Sequence, residues 1–261
     1  MLETPDPEDP LESLHAFHPI EPPVPRWGMR DLLLFAFFFL ATVIFFPLAA
    51  VSVMQIFDPG LRVQDLTVVE QVVLQGIMDI VLVAFIMFLV KVVRHRSFRE
   101  TIQWYRRHQY HTGALISLGA TLAITVLLVS ALFPSAAQTP IEKMISSAKS
   151  LYVFALFGIF VAPTFEEIIF RGFLFKVFYD MSGPGLAVPA TAFLFALLHA
   201  FQLWGNWPAI ALIFAVGYVL AFLRNRSSSL IPGLIVHTSY NAMLFGVYAV
   251  STLVQKGFKP S

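Results

Sequence analysis

The side chains of this chain that could hydrolyse a bond are few, and they fall in three short clusters. Glu166 and Glu167 are adjacent, with Arg171 four residues after the second; His199 stands alone; His237 is followed four residues later by Asn241. Each cluster interrupts a stretch that is otherwise almost wholly apolar. An ionisable residue in lipid-like surroundings marks function by default, because holding it there is expensive. Glu167 and Arg171 stand at i and i+4, so on a helix they share a face and can pair. A paired guanidinium and carboxylate is far cheaper to bury than either ion alone. Glu166 points about 100° away from that pair, so chemistry is assigned to Glu166 and support to Glu167. His237 and Asn241 present an imidazole and a carboxamide side by side, and Phe195, one turn before His199, can pack beside its ring.

A carboxylate, two imidazoles and an amide can be read in two ways. As a metal site, Glu166, His199 and His237 make a donor set of the kind that holds catalytic zinc with one position open to water. The local H-E-x-x-H signature is absent. As a metal-free site, Glu166 with His199 deprotonates a water, while His237 and Asn241 donate hydrogen bonds to the oxyanion that forms on a peptide carbonyl. Each group also has a bland reading by itself. A lone His or Asn in a membrane helix is usually interhelical glue, and the charged trio could be a buried ion pair in a carrier. Their occurrence together is the specific signal.

The elements that must position these groups are membrane helices. The 261 residues are 57% hydrophobic and 13% charged, with mean hydropathy +0.75 and 27 phenylalanines; globular domains carry about 25% charged residues. The fold class expected is all-α, a polytopic transmembrane helical bundle of about seven spans, near 32–57, 68–90, 113–133, 151–179, 190–206, 208–224 and 230–254. The net charge of +1 implies no nucleic-acid partner, and the absence of cysteine excludes disulfides, thiolate metal sites and a cysteine nucleophile. Residues 1–25 carry seven prolines and six acidic residues and no Lys or Arg, so a disordered acidic tail is expected, and no cleavable signal. It precedes a three-helix membrane region at 26–133 and a catalytic helical core at 150–254, joined by a connection over 134–150.

Orientation follows from basic residues in short loops. Arg26 and Arg30, then Lys91, Arg94, Arg96, Arg99, Arg106 and Arg107, then Arg224 and Arg226 fall on one side if the N-terminus is cytoplasmic. Membrane lipids are the surroundings this implies. At about 1.5 Å per residue, Glu166 lies roughly 20 Å below an end near Leu151, His199 about 14 Å above one near Pro189, and His237 about 11 Å above one near Leu230. In a core about 30 Å thick all three then fall in or near the cytoplasmic half of the bilayer. Span two contributes two further carboxylates, Glu70 and Asp79, expected to bond a neighbouring helix or to line a hydrated path.

At these residues the sequence resembles the membrane-embedded CPBP family of CAAX-processing and bacteriocin-processing proteases, related to the type II CAAX prenyl endopeptidases. The pattern E-E-x-x-x-R reads Glu166 to Arg171, F-x-x-x-H reads Phe195 to His199, and H-x-x-x-N reads His237 to Asn241, in order and on separate spans. The resemblance covers residues 150–250. It implies an intramembrane endopeptidase acting on a membrane-associated peptide or protein, with Glu166 and His199 activating water, His237 and Asn241 stabilising the oxyanion, and Glu167 and Arg171 supporting. The group is labelled metalloprotease, and a metal-free glutamate mechanism is argued for it as well. The metal-free route is favoured because the four groups fill the roles that amide hydrolysis requires; zinc on Glu166, His199 and His237 is the alternative. A bacterial inner membrane is the expected location.

Two other classes of function compete. A catalytically silent binding or immunity protein could keep the fold, but it has no need for Glu166, His199, His237 and Asn241 together. A small transporter or proton channel could use the same ionisable groups, and the lack of an internal repeat counts against it.

Overall fold

The computed structural model describes residues 26–106, 109–133 and 148–256. The acidic tail, Arg107 and nearly all of the 134–150 connection lie outside those residues. Helix α1 spans Met29–Met54 and α2 spans Val68–Phe88, continuing through a π-turn at Leu89–Val93. A short α3, Phe98–Thr101, leads to α4, Thr112–Leu132. The 33-residue α5, Ser150–Ser182, follows. Then come α6, Pro184–Ala200, α7, Trp207–Ser227, and α8, Ile231–Lys256. No strand occurs among the described residues.

Five of these helices are long and apolar enough to cross a membrane: α1, α2 through Val93, α4, α5 and α7. The chain is an integral membrane protein built as an all-α polytopic bundle. The other two expected spans differ from that description. α6 has 17 residues, short of the roughly 20 that cross hydrocarbon. It begins at Pro184, opened by Gly183 at φ 74°, and stops at Ala200 before a turn at Gly205. The apolar run 190–206 misleads because Phe201, Leu203 and Trp204 continue it past the end of the helix. α8 has length enough at 26 residues, but His237, Thr238, Ser239 and Asn241 dilute its apolar character.

α5 is the rod that the others surround. Every residue from Ile168 to Phe175 is buried, and a helix buried on all faces has neighbours on all faces. Those neighbours include α2, α6, α7 and α8. Two π-turns, Phe157–Val161 and Ile168–Leu174, interrupt α5 and flank the segment Ala162–Glu167 that carries the two glutamates. Such bulges reset the angular register of a helix and recur at functional sites. α1 by contrast turns Phe37 and Phe45 outward, as a lipid-facing helix does.

One end of the bundle is clasped by polar groups. Asp31 pairs with Arg94, whose guanidinium stacks 4.8 Å from the Trp27 ring, and the Trp27 amide donates to Asp180 at 3.1 Å. Arg224 donates to the Arg171 carbonyl at 2.9 Å and to Gln103 Oε1 at 2.6 Å, fastening the loop after α3 beneath α5 and α7. Glu70 has a local role: it accepts from the Thr67 amide at 2.7 Å and closes a capping box at the start of α2.

α4 lies so close along α8 that Gly119 meets its backbone. A Cβ at Gly119 would stand 2.4 Å from the Val236 carbonyl oxygen and 2.7 Å from Ser239 Cβ. Small residues permit such approach between membrane helices. Gly119→Ala should therefore push α8 off α4 and lower stability by about 1–3 kcal/mol, read as a reduced unfolding midpoint in detergent. An unchanged midpoint would mean that the contact is looser than this.

Candidate active site

The register of the α5–α6 hairpin sets the depth of the first two clusters. Gly183 makes the turn, and Phe170 and Phe195, 13 residues before and 12 after it, meet edge to face at 5.2 Å. One turn further from the hairpin on each strand of the pair, Glu166 and His199 come level. The expected depth of His199 was reckoned from Pro189. The helix in fact starts at Pro184, so His199 lies about 22 Å along it, at its far end.

Glu167 and Arg171 pair as their spacing requires. Arg171 Nη1 donates to Glu167 Oε1 at 3.1 Å, with both side chains wholly buried. The other arm of Arg171 reaches α7 and donates to the Gly217 carbonyl at 2.9 Å, and its guanidinium lies 4.6 Å from the Phe195 ring. Room for the Glu167 carboxylate comes from Gly233 at the start of α8. A Cβ there would stand 2.9 Å from Glu167 Oε2. That oxygen and Arg171 Nε are the two buried side-chain polar atoms without a hydrogen-bond partner among the described residues.

His237 sits between the two glutamates. Its Nδ1 is 3.0 Å from Glu167 Oε1, and its Nε2 is 3.5 Å from Glu166 Oε2. With Nδ1–H donating to Glu167, which Arg171 also pairs, Nε2 is the edge that faces Glu166. The two carboxylates differ in access: the Glu166 side chain is 30% exposed and that of Glu167 is 0% exposed. Glu166 can meet a water and a substrate; Glu167 can meet only protein.

His199 and Asn241 stand at the margins of this cluster. His199 Nδ1 is 2.9 Å from the Phe195 carbonyl of its own helix. A carbonyl only accepts, so Nδ1 carries the hydrogen and Nε2 keeps its lone pair. No hydrogen bond or ion pair joins His199 to Glu166 among the described residues; its ring instead packs on Phe195 at 4.7 Å, and Phe195 packs on His237 at 5.8 Å. Asn241 Nδ2 donates to the Gly158 carbonyl at 2.7 Å, within the first π-turn of α5. No three His, Cys, Asp or Glu side chains among the described residues are grouped so as to hold a metal ion.

One contributor had no signal in the motifs: the Gly158 carbonyl, which acts through backbone alone. Asp79 of α2 is 8% exposed and accepts from Gln75 of its own helix at 2.9 Å.

Comparison with known proteins gives one match. The model of the family described as Rce1-like, type II CAAX prenyl endopeptidase, matches residues 148–243. No curated protein and no solved structure matches the chain. The matched segment runs from the start of α5 into α8 and contains all three motifs, so in this part of its length the chain is similar to the type II CAAX prenyl endopeptidases.

Proposed function

We propose that the chain is an intramembrane endopeptidase that hydrolyses a peptide bond of a membrane-associated protein or peptide with a carboxylate-activated water. The observation that carries this reading is the unequal glutamate pair about His237: one carboxylate buried and neutralised, the other accessible and set against an imidazole edge.

In this mechanism Glu166 takes a proton from water as the water oxygen attacks the carbonyl carbon. His199 Nε2 accepts the second hydrogen of that water and orients it. The oxyanion forms beside His237 and Asn241. His237 donates from Nε2 as an imidazolium held on Glu167, and Asn241 donates through the amide hydrogen not given to Gly158. Glu166 then returns its proton to the amine nitrogen as the carbon–nitrogen bond breaks. The products are a carboxylic acid and an amine, and the carboxylate of Glu166 is regenerated. Substrate enters from the bilayer, in this reading a bacterial inner membrane; the bias of Lys and Arg in the short loops supports a cytoplasmic N-terminus.

Purified protein in liposomes, incubated with a library of membrane-anchored peptides, should yield discrete cleavage products by mass spectrometry. Cleavage should persist in o-phenanthroline, since no step uses an ion. Absence of product from every peptide would defeat the reading, and loss of cleavage restored by zinc would replace its mechanism.

A further inference from the structure

The loop after α2 and the inner face of α5 enclose a cleft of about 470 Å³, lined by Phe98, Arg99, Ile102, Trp104 and Ile168. That volume is within the range of small-molecule sites. Four of the walls are apolar and the fifth is a guanidinium. The loop that builds them is fixed in place. Ile102 is 2% exposed, and a Cβ on Gly172 of α5 would stand 3.1 Å from its Cβ. Gln103 follows at φ 56°, a left-handed conformation uncommon for residues other than Gly. It is held there because its carbonyl accepts from the Leu230 amide at 3.0 Å and its side chain from Arg224 at 2.6 Å. Arg99 and Trp104 are tied to each other. The Trp104 amide donates to the Arg99 carbonyl at 2.9 Å, and Arg99 Nε donates to the Trp104 carbonyl at 3.2 Å. That leaves the two Nη groups of an exposed side chain, and Arg99 forms no ion pair among the described residues.

The charge around the cleft has one sign. Lys91, Arg96 and Arg106 flank it in the sequence, and Glu100 is the sole acidic residue between Lys91 and Gln109. Trp104 suits the level where hydrocarbon gives way to head groups. We propose that the cleft binds an anionic phospholipid, with an acyl chain against Phe98, Ile102, Trp104 and Ile168 and the phosphate on Arg99. Basic pockets at the ends of membrane helices take acidic lipid head groups, and the planar fork of a guanidinium matches phosphate oxygens. An uncharged lipid chain has no use for Arg99, and a soluble anion has none for the aromatic walls. A zwitterionic head group would bring its ammonium against Lys91, Arg96 and Arg106. Four of the five walls lie outside the residues similar to the endopeptidases, so the proposal stands apart from the endopeptidase reading.

The test uses the full chain in phosphatidylcholine liposomes and phosphatidylglycerol brominated on its acyl chains, which quenches tryptophan on contact. Trp204 and Trp207, 74% and 59% exposed, are first replaced by Phe to remove their signal. Phosphatidylglycerol should quench at a mole fraction where brominated phosphatidylcholine does not, and Trp104→Phe should abolish that quenching. Arg99→Gln keeps a donor for the Trp104 carbonyl and should raise the half-saturating fraction about 10-fold, as loss of a charged hydrogen bond does. Arg99→Lys should fall between the two. Arg226→Gln, the same loss of charge on an exposed residue after α7, should change it less than about 2-fold at physiological salt. Equal quenching by the two lipids, quenching by neither, or an equal shift in Arg226→Gln would overturn the proposal. The first two comparisons need no variant of Arg99, so they decide the matter even where Arg99→Gln fails to fold. A protein that cleaves no peptide yet shows the preference would keep the lipid site and lose the endopeptidase.

Discussion

Glu166→Gln is expected to cut peptide hydrolysis by about 10²–10⁴-fold, the range attributed to a positioned general base, and to leave the protein folded. The exchange preserves shape and removes a carboxylate that is 30% exposed and whose nearest ionic partner is the His237 edge at 3.5 Å, so little packing is lost. The effect should fall on kcat, because the interaction lost is made with the reacting water in the transition state. Glu167→Gln makes the informative comparison. It alters a group that is 0% exposed and shared between Arg171 and His237, so it should lower the unfolding midpoint as well as the rate. Single-turnover cleavage and thermal unfolding of the two variants separate these outcomes. Equal stability loss in both, or full turnover in Glu166→Gln, would mean that the roles of the two glutamates have been exchanged or misread.

That asymmetry was legible in the sequence because it depends only on helix geometry. The i, i+4 spacing of Glu167 and Arg171 dictates their pairing, and the 100° offset of Glu166 dictates its separation from Arg171. The capping role of Glu70 was legible too, since Thr67-Val68-Val69-Glu70 has the spacing of a capping box. It was obscured by reading Glu70 as part of a span. The placement of His199 was less accessible. Hydropathy does not distinguish an apolar helix from the apolar turn after it, so the run through Trp204 hid the end of α6 at Ala200. The link between Asn241 and Gly158 was invisible because a carbonyl has no residue type. Asp79 could be recognised as odd but not placed, since the helix register of α2 against α5 depends on Gly76 and Phe157, which carry no polar signal.

The buried pair itself gives the largest expected effect on stability. Arg171→Met removes a cation that is 0% exposed and leaves Glu167, equally buried, with His237 as its remaining ionic partner. It also removes the side-chain hydrogen bond that Arg171 donates to the Gly217 carbonyl. Breaking one side of a buried ion pair costs about 3–5 kcal/mol, whereas replacing both sides with groups of similar volume is often neutral. The double variant Glu167→Gln/Arg171→Met should therefore be more stable than Arg171→Met alone, and an unfolding series in detergent would show that recovery. Activity should not follow stability. A Gln at 167 can still accept from His237 Nδ1, but it supplies no negative charge to hold an imidazolium. In a serine-protease triad, losing the carboxylate behind the catalytic imidazole lowers kcat by about 10⁴. A stable double variant that remained fully active would show that His237 acts as a neutral group and that the oxyanion is stabilised elsewhere. A double variant as unstable as Arg171→Met would show that the guanidinium holds α5 to α7 through Gly217 and to α6 through Phe195, with the ion pair secondary.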